Sequence, residues 1–269
     1  MPEGHTIHRA ARLQNKRFRG KTVTSVSPQG RFSEGAALVD GVELEKIHAS
    51  GKHLFYDFAS GEIVHVHLGL FGKFRVRSLP TDDPISENCR WLIATEAHRL
   101  HLAGPTVCEV IDPDRMQAIL DRLGPDPLAT HHTVDPVEKI ANRLSRRRTP
   151  IGAAILDQKV IAGLGNVYRA EILYLIGLDP FTPANEVNEE TLLTLWNESV
   201  RQLKMGEKAG KIVTTDPADV GRRRRSDIGR YERLYCYKRQ GEPCRRCGSA
   251  IRSANIDGRN IWWCPTEQT

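Results

Sequence analysis

No uninterrupted apolar run in the 269 residues approaches the roughly 18 that a membrane-spanning helix needs. The start of the chain also lacks the charged-then-apolar design of an export signal, so a cytoplasmic protein is expected. Internal repeats are absent. Cysteine is scarce, at six residues, and four of them fall within the last 38 positions. In a reducing compartment such a cluster points to a metal rather than to disulfides. Histidine is missing after position 132, so the cluster has no imidazole ligand within its own segment. Basic charge is lacking from the first half: residues 1–135 carry 16 Lys+Arg against 17 Asp+Glu, whereas the other 134 carry 23 against 16. The formal +6 therefore resides in the C-terminal half, where Arg146-Arg147-Arg148, Arg222-Arg223-Arg224-Arg225 and Arg245-Arg246 favour a polyanionic partner.

With 39% hydrophobic and 27% charged residues, the chain has an ordinary globular composition and is long enough for two domains. Ile7, Ala10, Ala11 and Leu13 recur at helical spacing over residues 3–15. From residue 21 to 111 the period changes to two, as in Thr22-Val23-Thr24-Ser25-Val26, Leu54-Phe55-Tyr56-Asp57-Phe58 and Ile63-Val64-His65-Val66-His67. About seven short strands in this stretch predict an antiparallel sandwich or barrel with the first helix packed on it. A helix is expected at 113–122, closing an N-terminal domain of residues 1–122, with Pro113 in its first turn. The Pro- and Gly-containing segment 123–135 reads as a linker. Helical patterns then recur at 136–144, 151–162, 167–176 and 189–205, giving an all-α domain over 136–231 that ends in a mobile Gly-, Asp- and Arg-rich loop at 206–231. Residues 232–269 form a separate small module, and the fold class as a whole is α+β.

Cys244-x2-Cys247 has the spacing of a zinc knuckle, and Cys264 follows. The fourth ligand is expected to be Cys236, because thiolate is the softer and commoner structural ligand, with Glu267 as the alternative. Between the knuckle and Cys264, residues 251–263 read as two strands around a turn at Asp257-Gly258. Arg259 would follow that turn, either solvated or held against a phosphate. Gly163-Leu164-Gly165-Asn166 permits a tight turn whose following helix start offers N–H groups to an anion, or serves simply as a helix–helix connection. Gly51-Lys52-His53 sets a lysine before an apolar strand, solvated or facing a developing charge. Leu68-Gly69-Leu70-Phe71-Gly72 is either ordinary core or a wedge for a base stack. Finally, Met1 precedes a small residue and is normally trimmed, which would leave Pro2 as a secondary amine beside the Glu3 carboxylate. An α-amino group near pKa 7.7–8.0 is a ready nucleophile at neutral pH, and a helix start depresses it further.

Together these motifs resemble the formamidopyrimidine-DNA glycosylase and endonuclease VIII family of bifunctional DNA-repair enzymes. Pro2-Glu3-Gly4, Gly51-Lys52, Leu156-Asp157-Gln158 with Gly163-Leu164-Gly165-Asn166, and Gly241-Glu242-Pro243-Cys244 with Cys247-Gly248 match in order along nearly the whole chain. The resemblance implies that Pro2 attacks the sugar C1′ to give an iminium, that Glu3 manages protons during ring opening and elimination, and that Lys52 assists at the sugar and phosphate. It also implies a helix-two-turns-helix element in which Asn166 grips the DNA backbone with Arg259, while Leu70 and Phe71 fill the gap left by an extruded nucleotide. A structural Zn2+ and a monomeric, nucleoid-associated enzyme follow from the same likeness. The segment Ala97–Leu102 through Leu123–Asp126 is closer to the endonuclease VIII branch, which implies oxidised pyrimidines and abasic sites as substrates and cleavage by β,δ-elimination. Two departures stand out: Glu267 occupies the place of the family's last cysteine, and Gly69 with Phe71 alters the wedge. A zinc-containing DNA-binding protein that recognises lesions or abasic sites without cutting is the competing class, although a pure binder has no need of a free amine beside a carboxylate.

Overall fold

A computed structural model describes residues 2–269; Met1, and with it the expectation that it is trimmed, lies outside the described residues. The chain divides into two compact units, one running through Arg122 and the other spanning Leu123–Thr269.

The first unit opens with helix α1 (Gly4–Phe18), whose buried Ile7, Ala11 and Phe18 line one face at helical spacing. Eight strands follow: β1 (Lys21–Val26), β2 (Val42–Ser50), β3 (His53–Phe58), β4 (Ile63–His67), β5 (Lys73–Ser78), β6 (Cys89–Ala94), β7 (His98–Ala103) and β8 (Val107–Ile111). All pairings are antiparallel, in the order β5-β7-β6-β1-β2-β3-β4-β8. The sheet turns at β1, where Lys21–Val23 pairs with β2 and Thr24–Val26 with β6. Trp91 of β6 meets Tyr56 of β3 edge-on at 4.9 Å although these strands are not neighbours, so the two halves of the sheet face one another across the core. Trp91 donates its indole N–H to Ser25 Oγ (2.9 Å), and Tyr56 donates to Gln14 Oε1 (2.6 Å), so neither buried polar tip is stranded. A short helix α2 (Ser33–Leu38) lies between β1 and β2, and α3 (Pro113–Arg122) closes the unit by covering Phe55, Ile63 and Ile111.

In the second unit the first five residues of the segment that reads as a linker are packed. Residues 123–127 are all buried. Gly124 donates to Gln158 O (2.9 Å), Ala162 donates to Pro125 O (3.0 Å), and a Cβ on Gly124 would fall 2.3 Å from Val160 O. The helices are α4 (Pro136–Leu144), α5 (Ile151–Ala154), α6 (Asn166–Leu175) and α7 (Glu189–Ala209). Asp135 caps α4 through two backbone N–H groups, Asn188 caps α7, and Gly210 ends α7 in the left-handed conformation. The helix expected over 151–162 stops after one turn. Gln158 takes over the backbone there: its Oε1 accepts from Gly163 N, and its amide donates to Leu156 O and Leu164 O. Asp157 Oδ1 accepts from Lys159 N in the same way. These side chains offer the backbone partners that a helix would otherwise supply. Residues 206–209 extend α7, and the remainder to 231 forms single 3-10 turns at Ala218–Val220, Arg225–Asp227 and Arg230–Glu232. The chain ends in the hairpin β9 (Arg252–Ile256) and β10 (Arg259–Trp263), with Asp257 and Gly258 both at positive φ, the geometry of a two-residue I′ turn.

Candidate active site

Glu3 caps α1 with extended backbone (φ −121°, ψ 175°), and its carbonyl accepts from Thr6 N at 2.8 Å. Its side chain is fully buried, whereas Pro2 before it is half-exposed. Pro2 lines a groove of about 510 Å³ with Thr6, Arg9, Leu68, Leu70 and Lys73. The structure thus brings the proposed amine and one proposed wedge residue to the same opening. His5, beside Glu3, is buried, and burial with Arg9 nearby pushes its pKa down to about 4, so the ring is neutral.

Lys52 sits in the turn between β2 and β3, after Gly51 at φ +56°, and its positive charge helps lower the pKa of both His53 and His67. Leu70 and Phe71 are 54% and 86% exposed, whereas Leu68 is buried, which rules out a core role for the first two. Glycine is favoured at position 69: the backbone sits at φ +64°, and a Cβ would fall 1.8 Å from Thr106 Oγ1. Next to this loop, Lys73 and Arg75 project outward on β5, while Phe74 and Val76 pack into the core. Arg77, paired with Asp83, continues the row, and Arg99 opposes it on β7. Sequence reasoning missed this basic stripe because the net charge of the first half conceals it; the alternation Lys73-x-Arg75-x-Arg77 on a strand was the available signal.

In the second unit, Asn166 begins α6 and is buried. Its Nδ2 donates to Asn260 O (3.1 Å), and its Oδ1 accepts from Arg169 Nη2 (2.5 Å). Arg169, fully buried, also donates to Asn260 O (2.7 Å) and Gly152 O (3.1 Å). These bonds tie the glycine turn to β10 beside Arg259, which is exposed and directly follows the I′ turn. Two segments that were separate in sequence are therefore one assembly, although Asn166 spends its amide on protein.

The sulfurs of Cys244, Cys247 and Cys264 all lie within 4.8 Å of one another, with Cys247 and Cys264 3.4 Å apart. Thiolates about 2.3 Å from a tetrahedral zinc would be separated by roughly 3.8 Å, so the trio fits the metal. Gly248 at φ +76° donates to Cys244 O and closes the knuckle. A hydrogen bond from Ser249 is the leading cause that lowers the Cys247 thiol's pKa, which suits a thiolate ligand. Cys236 is fully buried in the same cluster as Cys244 and Cys264, but its sulfur is not among the mutually close ligand atoms. Burial, then the Glu171 carboxylate, push its thiol pKa up. Glu267 is half-buried, and Gln268 next to it accepts from Cys264 N (2.9 Å).

Glu171, which sequence reasoning also missed, is fully buried on α6. Its Oε1 accepts from Cys236 N and Tyr237 N (both 2.8 Å), and its Oε2 accepts from Tyr235 N (2.7 Å) and the Thr214 hydroxyl. One carboxylate therefore anchors both ends of the stretch before the zinc module to the helix that carries Asn166.

Comparison with known proteins agrees with this geometry. Residues 1–119 match the formamidopyrimidine-DNA glycosylase N-terminal domain, residues 123–217 its H2TH domain, and residues 241–266 the zinc finger found in FPG and IleRS. The chain is 44% identical to endonuclease 8 1 of Mycobacterium tuberculosis, with both chains fully covered, and 28% identical to the formamidopyrimidine-DNA glycosylase of Ligilactobacillus salivarius over 98% of this chain and 96% of that one. Its fold is that of the Lactococcus lactis Fpg in complex with an abasic site containing DNA, at TM-score 0.79 with 22% identity and 99% of each chain covered. The chain belongs to the family of endonuclease 8 and formamidopyrimidine-DNA glycosylase, DNA-repair enzymes that couple base removal to abasic-site lyase activity, and it carries that family's structural zinc finger.

Proposed function

We propose that this protein excises oxidised pyrimidines from DNA and cuts the resulting abasic site through an iminium on Pro2. The observation that carries the reading is the half-exposed Pro2 at the mouth of a groove, directly before a fully buried carboxylate at the head of α1. The Pro2 amine displaces the base at C1′. Glu3 moves the protons of ring opening and of the β- and δ-eliminations that release the flanking phosphates, and Lys52 serves the sugar and phosphate. Leu70 and Phe71 occupy the space of the extruded nucleotide, at a cost of about a few kcal/mol for unstacking that phosphate contacts from Arg259 and the second amide proton of Asn166 offset. Zinc is held by Cys244, Cys247 and Cys264 with Cys236 or Glu267 as fourth ligand. The preference for pyrimidines is supported by the 44% identity to endonuclease 8 1. The enzyme acts as a monomer in the cytoplasm at the nucleoid.

Borohydride trapping tests the reading. Protein with a free Pro2 amine, incubated with duplexes bearing an abasic site or an oxidised pyrimidine and then reduced, gives a covalent adduct. Binding without any adduct on either duplex would instead identify a lesion-binding protein, and equal reaction of an N-terminally blocked form would remove Pro2 from the mechanism.

A further inference from the structure

The strands flanking Lys52 carry imidazoles that the chemistry above does not use: His48 on β2, His53 on β3, and His65 and His67 on β4. His53 Nδ1 lies 2.9 Å from His65 Nε2, with the rings stacked 17° from parallel. His65 Nδ1 lies 3.0 Å from Glu109 Oε1, on the paired strand β8. A carboxylate can only accept, so His65 donates from Nδ1. Burial holds the pKa of His65 and His67 below the ordinary imidazole range and that of His53 at about 3, with His67, His65 and Lys52 adding to the last, so the rings are neutral. A neutral His65 has one proton, and its Nε2 must therefore accept from His53 Nδ1–H. His53 is left with a lone pair at Nε2, on the residue following Lys52. The other groups facing this chain are Lys52 in the β2–β3 turn, Arg115 on α3, His67, and the His48–Asp57 pair. His48 is engaged by Asp57 at 3.2 Å and His67 Nδ1 accepts from Gly69 N at 3.1 Å, so neither competes for His53 Nδ1.

We propose that Glu109, His65 and His53 form a positioning relay that keeps a proton acceptor at His53 Nε2 beside Lys52 and links it to solvent. The role rests on the lyase reading of Lys52. In one pass, Lys52 gives a proton to His53 Nε2, His53 Nδ1 gives its proton to His65 Nε2, and His65 Nδ1 gives its proton to Glu109. One proton has moved and both rings stay neutral with exchanged tautomers; the reverse pass recharges the lysine. The ends of the chain suit this use: His65 is only 4% exposed at its side chain, whereas Glu109 is 45% exposed and opens onto a surface groove of about 490 Å³.

Two measurements on the full-length protein test the relay. Long-range nitrogen–proton NMR is expected to find His65 and His53 as single Nδ1–H tautomers at neutral pH, and Glu109→Ala to release His65 into a mixture. Single-turnover nicking of a preformed abasic duplex is expected to slow about fivefold or more in Glu109→Gln, with an altered pH profile, because the amide still accepts from His65 but cannot take up its proton. Binding to a reduced, uncleavable abasic duplex should stay within about twofold. Tautomers unmoved in Glu109→Ala, or an unchanged pH profile in Glu109→Gln, overturn the relay while leaving the lyase intact. A wild-type protein that forms no borohydride adduct overturns the proposed function and this role with it.

Discussion

Glu171→Ala is expected to unfasten the zinc module from α6. The substitution leaves the N–H groups of Tyr235, Cys236 and Tyr237 without their acceptor in a region where Glu171, Tyr235 and Cys236 are at most 1% exposed. An orphaned buried donor costs about 1–3 kcal/mol, so three of them give roughly 3–9 kcal/mol. Removing the carboxylate also removes the penalty for burying it, which places the net figure near the lower end, about 3 kcal/mol. For a unit of this size each kcal/mol moves Tm by about 2–4 °C, so a fall of roughly 6–12 °C follows. Glu171→Gln should cost less, because its amide can turn toward the Thr214 side, where the hydroxyl rotates to accept and only Tyr235 N–H is stranded. Thermal unfolding by circular dichroism, with zinc content measured on the same samples, checks the order parent, Gln, Ala. An alanine variant that melts within a degree of the parent and keeps its zinc would refute the assignment of Glu171 as the anchor.

Zinc content should fall on Cys244→Ser; between Cys236→Ser and Glu267→Gln, the variant that also loses metal identifies the fourth ligand, measured by metal analysis after gel filtration. Acid should destabilise the first unit well above the carboxylate range. His5 and His53 titrate at about 4 and about 3 in the folded chain, below the ordinary 6.5, so the unfolded chain binds more protons and stability drops as pH falls from about 6.5. Between pH 7 and 5 the two together lose roughly 4 kcal/mol, readable as a shift in urea midpoint; a midpoint flat over that window would contradict it. Replacing Lys73 and Arg75 together by Ala should reduce the slope of log affinity against log salt by about one to two for duplex DNA, without sequence preference. An unchanged slope would remove the β5 stripe from the DNA-contacting surface.

Much of the fold is legible in residues whose pattern has a single physical solution. The period-two run Thr22–Val26 buries the alternate side chains Val23 and Ser25 as a strand does, and the knuckle spacing of Cys244 and Cys247 has few uses other than a metal. The misread places turn on contacts that a local pattern does not show. Gln158 reads as an ordinary helix former, yet by bonding Gly163 N, Leu156 O and Leu164 O it halts the helix expected over 151–162. Gly124-Pro125 reads as a linker because both residues break helices, yet the missing Cβ at Gly124 is what lets Val160 O approach.

Site residues divide the same way. Pro2, Lys52 and the cysteines stand out as candidates by chemistry, because few other residue types would serve the roles proposed for them. Glu171, Glu109 and His65 do not, since a lone carboxylate or imidazole in sequence is usually surface, and their meaning lies in partners 12 to 66 positions away. Those partners are fixed by strand register and helix packing, which no local pattern encodes. His65 faces Glu109 only because β4 pairs with β8 in that register, and a slip of one residue would turn every imidazole of β4 to the other face of the sheet. The candidate reactive groups can therefore be proposed from the chain alone, whereas the side chains packed and hydrogen-bonded around them require the fold.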